Sequence, residues 1–309
     1  MSYVLAADLG GTKIAVAVVD AAGRILARRK APINNSCLEA TADQAVVLAD
    51  EVLLEAGLRL SGARGLGVAV PGIYWPASGR AWAPNLWGTA EVPLAEVLAS
   101  RITVRTVIDS DRSAYVLGEQ WVGAARGLRD VVFLAVGTGI GAGIITGGRL
   151  CRGAGGIAGA VGWSALTPAW RDEYRALGCF EAEAAGPALA RKAGTATAEQ
   201  VAAAARAGDP GAVRAIQETA GWIAMGVANI ISLLNPEMVV LGGGLMQAGD
   251  LLLEPIRRQV RLWAQPLAAG QVRIELTRLG EDAGLLGAAR LVFLEAGGSD
   301  LNEGSFTAP

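Results

Sequence analysis

Histidine is absent from this chain of 309 residues. Its absence removes Ser-His-Asp and Cys-His nucleophile systems, histidine-ligated zinc, and every side chain whose ordinary pKa lies near neutrality. Cysteine is scarce: Cys37, Cys151 and Cys179 form an odd, widely spaced set. Such a set excludes a disulfide framework and points to a reducing compartment. Charge is also sparse, with 18% charged residues and a net charge of −2, so the concentrated basic surface of a phosphate-backbone binder is missing. The one basic run, Arg28-Arg29-Lys30, reads as a solvated turn after a strand. Apolar runs are broken by Gly or polar residues before they reach membrane-spanning length. The first residues, MSYVLAADLGG, show neither a basic leader region nor a cleavage site. The expectation is a soluble, cytoplasmic protein with no membrane or nucleic-acid partner.

Apolar residues make up 52% of the chain and glycine occurs 42 times, enough to bury one large core or two domains. Tyr3 to Ala7 reads as a strand, Asp8-Leu9-Gly10-Gly11-Thr12-Lys13 as a turn, and Ile14 to Val19 as a second strand. The same pattern returns at Val131 to Val136, Gly137-Thr138-Gly139-Ile140-Gly141 and Ala142 to Thr146. An internal duplication, each copy opening a domain, is the economical explanation. Between the copies lie a helical pattern at Thr41 to Ala56, a buried strand at Gly65 to Val70 ending at Pro71-Gly72, a strand at Thr103 to Ile108 ending at Asp109-Ser110-Asp111, and a helix at Ser113 to Val122. Further on, Asp209-Pro210 is a helix start, with Asp as N-cap and Pro at the first helical position. That helix is expected to run, with a break near Gly221 or Gly226, to Asn235-Pro236. Met238 to Leu241 is a strand leading into Gly242-Gly243-Gly244, Gly280 to Leu294 carries a helix, and the tail from 297 is expected to be disordered. Alternating strands and helices give an α/β fold.

Three glycine turns follow strands. In the first, the N–H groups of Gly10 and Gly11 can face a phosphate without Cβ obstruction, Thr12 adds a hydroxyl, and Asp8 can hold Mg²⁺ directly or through water. Gly137 to Gly143 offers a similar cradle, and Gly242 to Gly244 can let backbone approach adenine and ribose. None has Walker A or dinucleotide-fingerprint spacing. Asp111 sits just past a strand end, where α/β folds place reactive groups. It reads as a helix N-cap and as a carboxylate able to take a hydroxyl proton while a phosphoryl group arrives. Asp109, two residues earlier, would point the same way in a strand but not in a loop.

With these segments in hand, the chain resembles the ROK family (repressors, open reading frames and sugar kinases) of the actin-like ATPase superfamily. The matching motifs are DLGGTK at 8–13, VPG at 70–72, APNL at 83–86, VIDSDRSAYVLGE at 107–119, VGTGIGAG at 136–143, RGAGGIAGAVG at 152–162, GCFE at 178–181, LNPEMVVLGGG at 234–244 and DAGLLGAA at 282–289. The resemblance implies two RNase H-like domains with an ATP cleft between them: a smaller one from 1–111 plus 291–309 and a larger one from 112–290. It also implies Mg²⁺ dependence, and transfer of the γ-phosphoryl group of ATP to a sugar hydroxyl, usually the 6-position. Motif by motif, it places Asp8, Gly10, Gly11, Thr12, Lys13, Gly137, Thr138, Gly139, Gly242 and Gly243 on the nucleotide side. Gly72, Ser110, Asn85 and Glu181 fall on the acceptor side, and Asp111 is the base. A homodimer is implied as well, with Trp170 or Trp222 as candidates for its surface.

Four departures from the family pattern stand out. The zinc motif C-x-C-G-x-x-G-C keeps only Gly178-Cys179, with Asp172, Tyr174 and Arg175 at earlier positions, so no zinc site is expected. The glycine loop that ends G-E-x-G-H in the family has Ala160 for the Glu and Trp163 for the His. Ser110 replaces an Asn, and Trp87 and Thr89 stand where relatives often have Pro and Trp. The losses cluster on the acceptor side, while the phosphate turns and Asp111 are intact. An acceptor such as an amino sugar (kanosamine-like) or a C7-cyclitol, stacked on Trp163, fits this pattern. An ordinary glucokinase, with Trp163 filling the space of the missing zinc loop, fits equally. A catalytically silent sugar-binding regulator is a third reading. A DNA-binding repressor is disfavoured, because Asp8 leaves no room before it for a helix-turn-helix and the charge is balanced.

Overall fold

The computed structural model describes residues 2–296; the tail expected to be disordered lies outside the described residues. The chain divides into two compact units. Among the described residues the first comprises 2–122, Arg152–Ile157 and 282–296; the second comprises Gly123–Cys151 and Ala158–Glu281.

In the first unit, β1 (Tyr3–Leu9), β2 (Lys13–Asp20) and β3 (Ile25–Pro32) form an antiparallel meander. Helix α1 (Leu38–Glu55) leads to β4 (Ala63–Val70), which pairs parallel with β1. A short ribbon, β5 (Ile73–Trp75) and β6 (Arg80–Trp82), precedes helices α2 (Pro84–Trp87) and α3 (Leu94–Ala99). Strand β7 (Thr106–Ser110) pairs parallel with β4 and runs into α4 (Asp111–Val122). The sheet order is β3-β2-β1-β4-β7. β4 shows why both sheet faces are covered. Its residues Leu66, Val68 and Val70 point into the core that holds α1. Gly67, on the opposite face, touches the backbone of Ala288 in the last helix (Ala283–Ala296), with no room there for a Cβ. The last helix packs on α4, β4 and β1.

In the second unit, β8 (Val131–Val136), β9 (Ile140–Thr146) and β10 (Arg149–Leu150) again form an antiparallel meander. Helices α5 (Tyr174–Leu177), α6 (Cys179–Ala184), α7 (Gly186–Ala193), α8 (Ala198–Arg206) and α9 (Pro210–Leu234) follow. Then come β11 (Met238–Gly242), α10 (Gly249–Trp263), α11 (Pro266–Gln271) and β12 (Arg273–Leu276), and the last helix among the described residues is α12. The sheet order is β10-β9-β8-β11-β12, with β8, β11 and β12 parallel. Leaving out the β5–β6 ribbon, both sheets read 3-2-1-4-5 in their own strand sequence, as a duplicated α/β unit does.

Several expectations need correcting. Arg28-Arg29-Lys30 is not a turn but the exposed part of edge strand β3, where Arg28 pairs with Asp282 and Arg29 with Glu55. Asp109 and Ser110 belong to β7 and Asp111 starts a helix, so strand alternation does not relate the two carboxylates. Helix α9 is continuous over 25 residues, without a break at Gly221 or Gly226. Its ends are as expected: Asp209 accepts the Ala212 N–H at 2.7 Å, and Asn235 closes it in the left-handed region at φ 46°. The two compact units divide after Val122 and before Asp282, and α4 and α12 pack together within the first. Among the described residues no helix is long and apolar enough to cross a membrane.

Candidate active site

The first unit holds the first glycine turn, Asp111, and Gly72, Asn85 and Ser110, which were expected on the acceptor side. Asp8 ends β1 and is followed by a turn in which the Gly10 N–H donates to the Lys13 carbonyl at 2.8 Å. Gly11, Thr12 and Lys13 are exposed at its tip. Asn85 stands beside this turn: its Cβ would lie 3.9 Å from a Cβ at Gly11. Pro84 opens α2, and Trp87 anchors it by donating its indole N–H to Thr41 Oγ1 at 3.2 Å. Trp87, a departure from the family pattern, therefore serves the loop that carries Asn85.

The strand-to-helix junction β7–α4 sets Asp111. Ser110 Oγ accepts the Ser113 N–H at 3.3 Å, capping α4, and the residue is buried. The hydroxyl expected on the acceptor side is thus engaged by the helix. Asp111 Oδ1 accepts the Arg112 N–H at 2.8 Å, and Arg112 Nη2 reaches the Gly72 carbonyl at 3.2 Å. Gly72 adopts φ 102°, which only glycine accepts readily, and a Cβ there would overlap the Trp82 carbonyl. Asp109, almost buried, is held by Arg152 Nη2 at 2.7 Å. This pairing ties the start of the glycine loop to the strand that leads into Asp111.

Electrostatics mark Asp8 and Asp111. Burial, reinforced by the charge of Asp111, lifts Asp8 to a pKa of about 7. Burial lifts Asp111 to about 6, against the lowering effect of Arg112. Tyr115, one helical turn beyond Asp111, faces both carboxylates, and its pKa is raised well above the ordinary value by burial and by their charges. Asp8 Oδ1 is shut off from solvent with no hydrogen-bond partner. Gly284 presses against the same carboxylate, and a Cβ there would overlap it. A strongly perturbed carboxylate pair of this kind is what sites of chemistry look like.

The second unit brings together the other two glycine turns, Glu181, Ala160 and Trp163. Gly137 donates its N–H to the Gly139 carbonyl at 2.9 Å and accepts from Gly186 N–H at 2.8 Å, leaving Thr138 exposed. Gly243, at φ 87°, lies against the Val136 backbone, and a Cβ on Gly137 would stand 3.5 Å from the Gly244 nitrogen. So the second and third turns adjoin. Glu181 accepts the Ile140 N–H at 2.8 Å and packs between Gly139 and Gly162, where added Cβ atoms would lie 2.8 Å and 3.1 Å from its Oε2. Burial raises its pKa. Ala160 precedes the short turn Val161–Trp163, and the Trp163 side chain is 57% exposed. Among the described residues no group of three or more His, Cys, Asp or Glu is placed to hold a metal ion.

Sequence reasoning missed Arg112, Tyr115, Arg152 and Gly284. Arg152 meets Asp109 across 43 positions and Gly284 meets Asp8 from the far end of the chain. Only the fold closes such separations.

The model of the ROK family matches residues 4–294. The chain belongs to the ROK family. The glucokinase of Streptomyces coelicolor is 34% identical over 94% of this chain and 98% of its own. The N-acetylmannosamine kinase of Citrobacter koseri is 34% identical over 93% of this chain and 97% of its own. A putative xylose repressor of Caldicellulosiruptor sp. is 31% identical over 94% of this chain and 78% of its own. The crystal structure of a ROK family glucokinase from Streptomyces griseus, solved with glucose and AMPPNP, superposes with a TM-score of 0.79 at 30% identity, covering 94% of this chain and 99% of that one. This ROK protein thus has the fold of an actin-like ATPase, and both kinases match over nearly their whole lengths.

Proposed function

We infer that this ROK protein is a carbohydrate kinase that transfers the γ-phosphoryl group of ATP to a primary hydroxyl of a hexose or hexose-like acceptor, with Asp111 as general base. The observation that carries the assignment is the junction β7–α4. It holds a carboxylate of raised pKa, about 6, beside Asp8 and one hydrogen bond from the Gly72 turn through Arg112. Phosphoryl transfer needs positioning and charge neutralisation more than covalent chemistry, so one well-placed base suffices. Asp111 takes the acceptor proton. In the first unit the N–H groups of Gly11 to Lys13 receive phosphate oxygens, that of Gly10 being spent on the Lys13 carbonyl; in the second unit Thr138 and Gly139 offer theirs, that of Gly137 being spent on the Gly139 carbonyl, and Gly242-Gly243 leaves space for adenosine. The orphaned Oδ1 of Asp8 and the close glycine behind it fit Mg²⁺, held by this carboxylate directly or through water. When bound, the ion neutralises phosphate charge. No zinc ion is assigned a place.

For the acceptor, the exposure of Trp163 supports the first of the two sequence expectations. A tryptophan filling the space of a lost loop would be buried, and this one is 57% exposed. It stands next to Gly162, against which Glu181 packs. An exposed indole beside Ala160 suits stacking on the apolar face of a ring whose hydroxyl pattern differs from that of glucose, as in an amino sugar or a C7-cyclitol. The match to an N-acetylmannosamine kinase supports an amino-sugar acceptor within the family.

The test is ADP release with ATP and Mg²⁺ across glucose, N-acetylmannosamine, kanosamine and a C7-cyclitol, for the wild type and for Ala160→Glu/Trp163→His. The double variant is expected to shift relative kcat/KM toward glucose by about ten-fold or more, the scale of restored hydrogen bonds to a substrate hydroxyl. An unchanged preference removes the loop from specificity. Binding without turnover of any acceptor would make the protein a sugar-binding regulator instead.

A further inference from the structure

Between Trp163 and Gly178 the chain of the second unit leaves its core and returns. The return is close: Gly178 adopts φ 82°, and a Cβ there would lie 2.7 Å from the Trp163 Cα. Helix α6 starts at the next residue and carries Glu181 on the side facing Gly139 and Gly162.

Two positions further along α6, Glu183 is buried, with 4% of its surface exposed. A buried carboxylate costs several kcal/mol unless it is paired and hydrogen-bonded. Here its partners come from the excursion. Glu183 Oε1 accepts the Tyr174 hydroxyl at 2.6 Å and Arg171 Nη1 at 2.6 Å. On the other side, Lys192 of α7 lies 3.8 Å from Oε2 and pairs with Glu218 at 2.7 Å. Arg171 also reaches Glu173 at 2.5 Å, and Arg191 lies 3.6 Å from the same Glu173 oxygen while donating to the Ala182 carbonyl at 2.8 Å. Trp170 meets the Tyr174 ring edge-on at 5.9 Å. Burial and the bond to Glu183 push the Tyr174 phenol up to about 12, so it remains a donor at any working pH. The polar groups of the excursion thus converge on α6 and α7, while Trp163, Trp170 and Leu177 stay exposed.

Tyr174 and Arg171 can satisfy Glu183 only when the excursion is folded back. Without them the carboxylate would be left buried beside a single lysine. We propose that Glu183 is a positioning residue for the acceptor side: with Tyr174 and Arg171 it clamps residues 164–177 against α6 and so fixes Trp163 and Glu181 relative to one another. The proposal rests on the acceptor role given above to those two residues. It adds that an ion-pair and phenol cluster, built entirely from this chain's side chains, sets the shape of the specificity loop.

The test has an arm that needs no turnover. The chain has eight tryptophans. In protein grown with 5-fluorotryptophan, the ¹⁹F line of Trp163 is identified by its loss in Trp163→Phe. Glu183→Gln, and separately Tyr174→Phe, should move or broaden the Trp163 and Trp170 lines and leave the lines from the first unit in place. With glucose as the acceptor probe, both variants should raise KM for glucose about ten-fold or more, the scale set by small misplacements of binding groups. KM for ATP should stay within about two-fold, because the phosphate turns do not touch the cluster. The double variant should be no worse than the poorer single one, since the three groups act as a unit. An unmoved Trp163 line in both single variants overturns the clamp. A moved line with an unchanged glucose KM, or glucose and ATP KM values rising together, overturns the positioning role. A wild type that turns over no glucose would fit the non-glucose acceptor proposed above; N-acetylmannosamine then replaces glucose as the probe, and the fluorine lines decide the clamp in either case.

Discussion

At the scale of the residue, Asp8 is a carboxyl whose burial opposes stability once it is charged. Its ordinary pKa of 3.8 rises to about 7 in the folded chain. A carboxyl whose folded pKa is raised favours the folded state at low pH, and that advantage is lost as pH climbs from 3.8 through about 7. The difference corresponds to roughly 4 kcal/mol at most. Asp8→Asn, uncharged and of the same shape, should therefore match the wild type in thermal stability near pH 4. Without Mg²⁺ it should be the more stable of the two at pH 8, while losing activity. Melting curves of both proteins across this range check it, and a gap independent of pH would refute the burial argument. The motif Asp8 to Lys13 was legible in the sequence because its neighbours are local. The groups that perturb Asp8 were not: Asp111 and Gly284 reach it only through the fold.

At the scale of the element, α9 shows why glycine in a helical pattern is an ambiguous signal. A break was expected at Gly221 or Gly226, since glycine weakens helices by about 1 kcal/mol. Instead the helix runs through, and Gly226 admits the fully buried Phe180 ring against its backbone. Phe180 sits in α6 between Glu181 and Cys179, so this contact also seats the helix that carries Glu181. Gly226→Ala should destabilise the protein by about 1–3 kcal/mol through overpacking. Gly270→Ala, in α11 with nothing near its Cβ position, should instead stabilise by about 0.5–1 kcal/mol. Chemical denaturation of the two variants separates packing from propensity, and equal effects would mean that the Phe180 contact carries no weight. The basic run of β3 failed to read as a strand for a related reason. An edge strand with one exposed face can hold charges that pair with other elements, here Asp282 and Glu55.

At the scale of the whole molecule, the repeated strand–glycine turn–strand pattern was enough to forecast two copies of one architecture, and both sheets do share one strand order. The boundaries were harder, because the first unit is discontinuous: Arg152–Ile157 and α12 join it from distant parts of the chain. Local patterns cannot show where a segment docks, and the Arg152–Asp109 pair that fixes one of them is invisible in the sequence. The same holds for the cluster around Glu183, of whose members the sequence pattern singled out only Tyr174, at a position of the missing zinc motif.

The central claim is phosphoryl transfer with Asp111 as base. Its most direct test is single-turnover transfer from ATP with Mg²⁺ to the best acceptor of the panel, for the wild type and Asp111→Asn across pH. The wild-type rate should fall as pH drops below about 6, where Asp111 takes up a proton. Asp111→Asn should lose about 10²–10⁴-fold at neutral pH with acceptor binding retained. A near-full rate in Asp111→Asn would contradict the account.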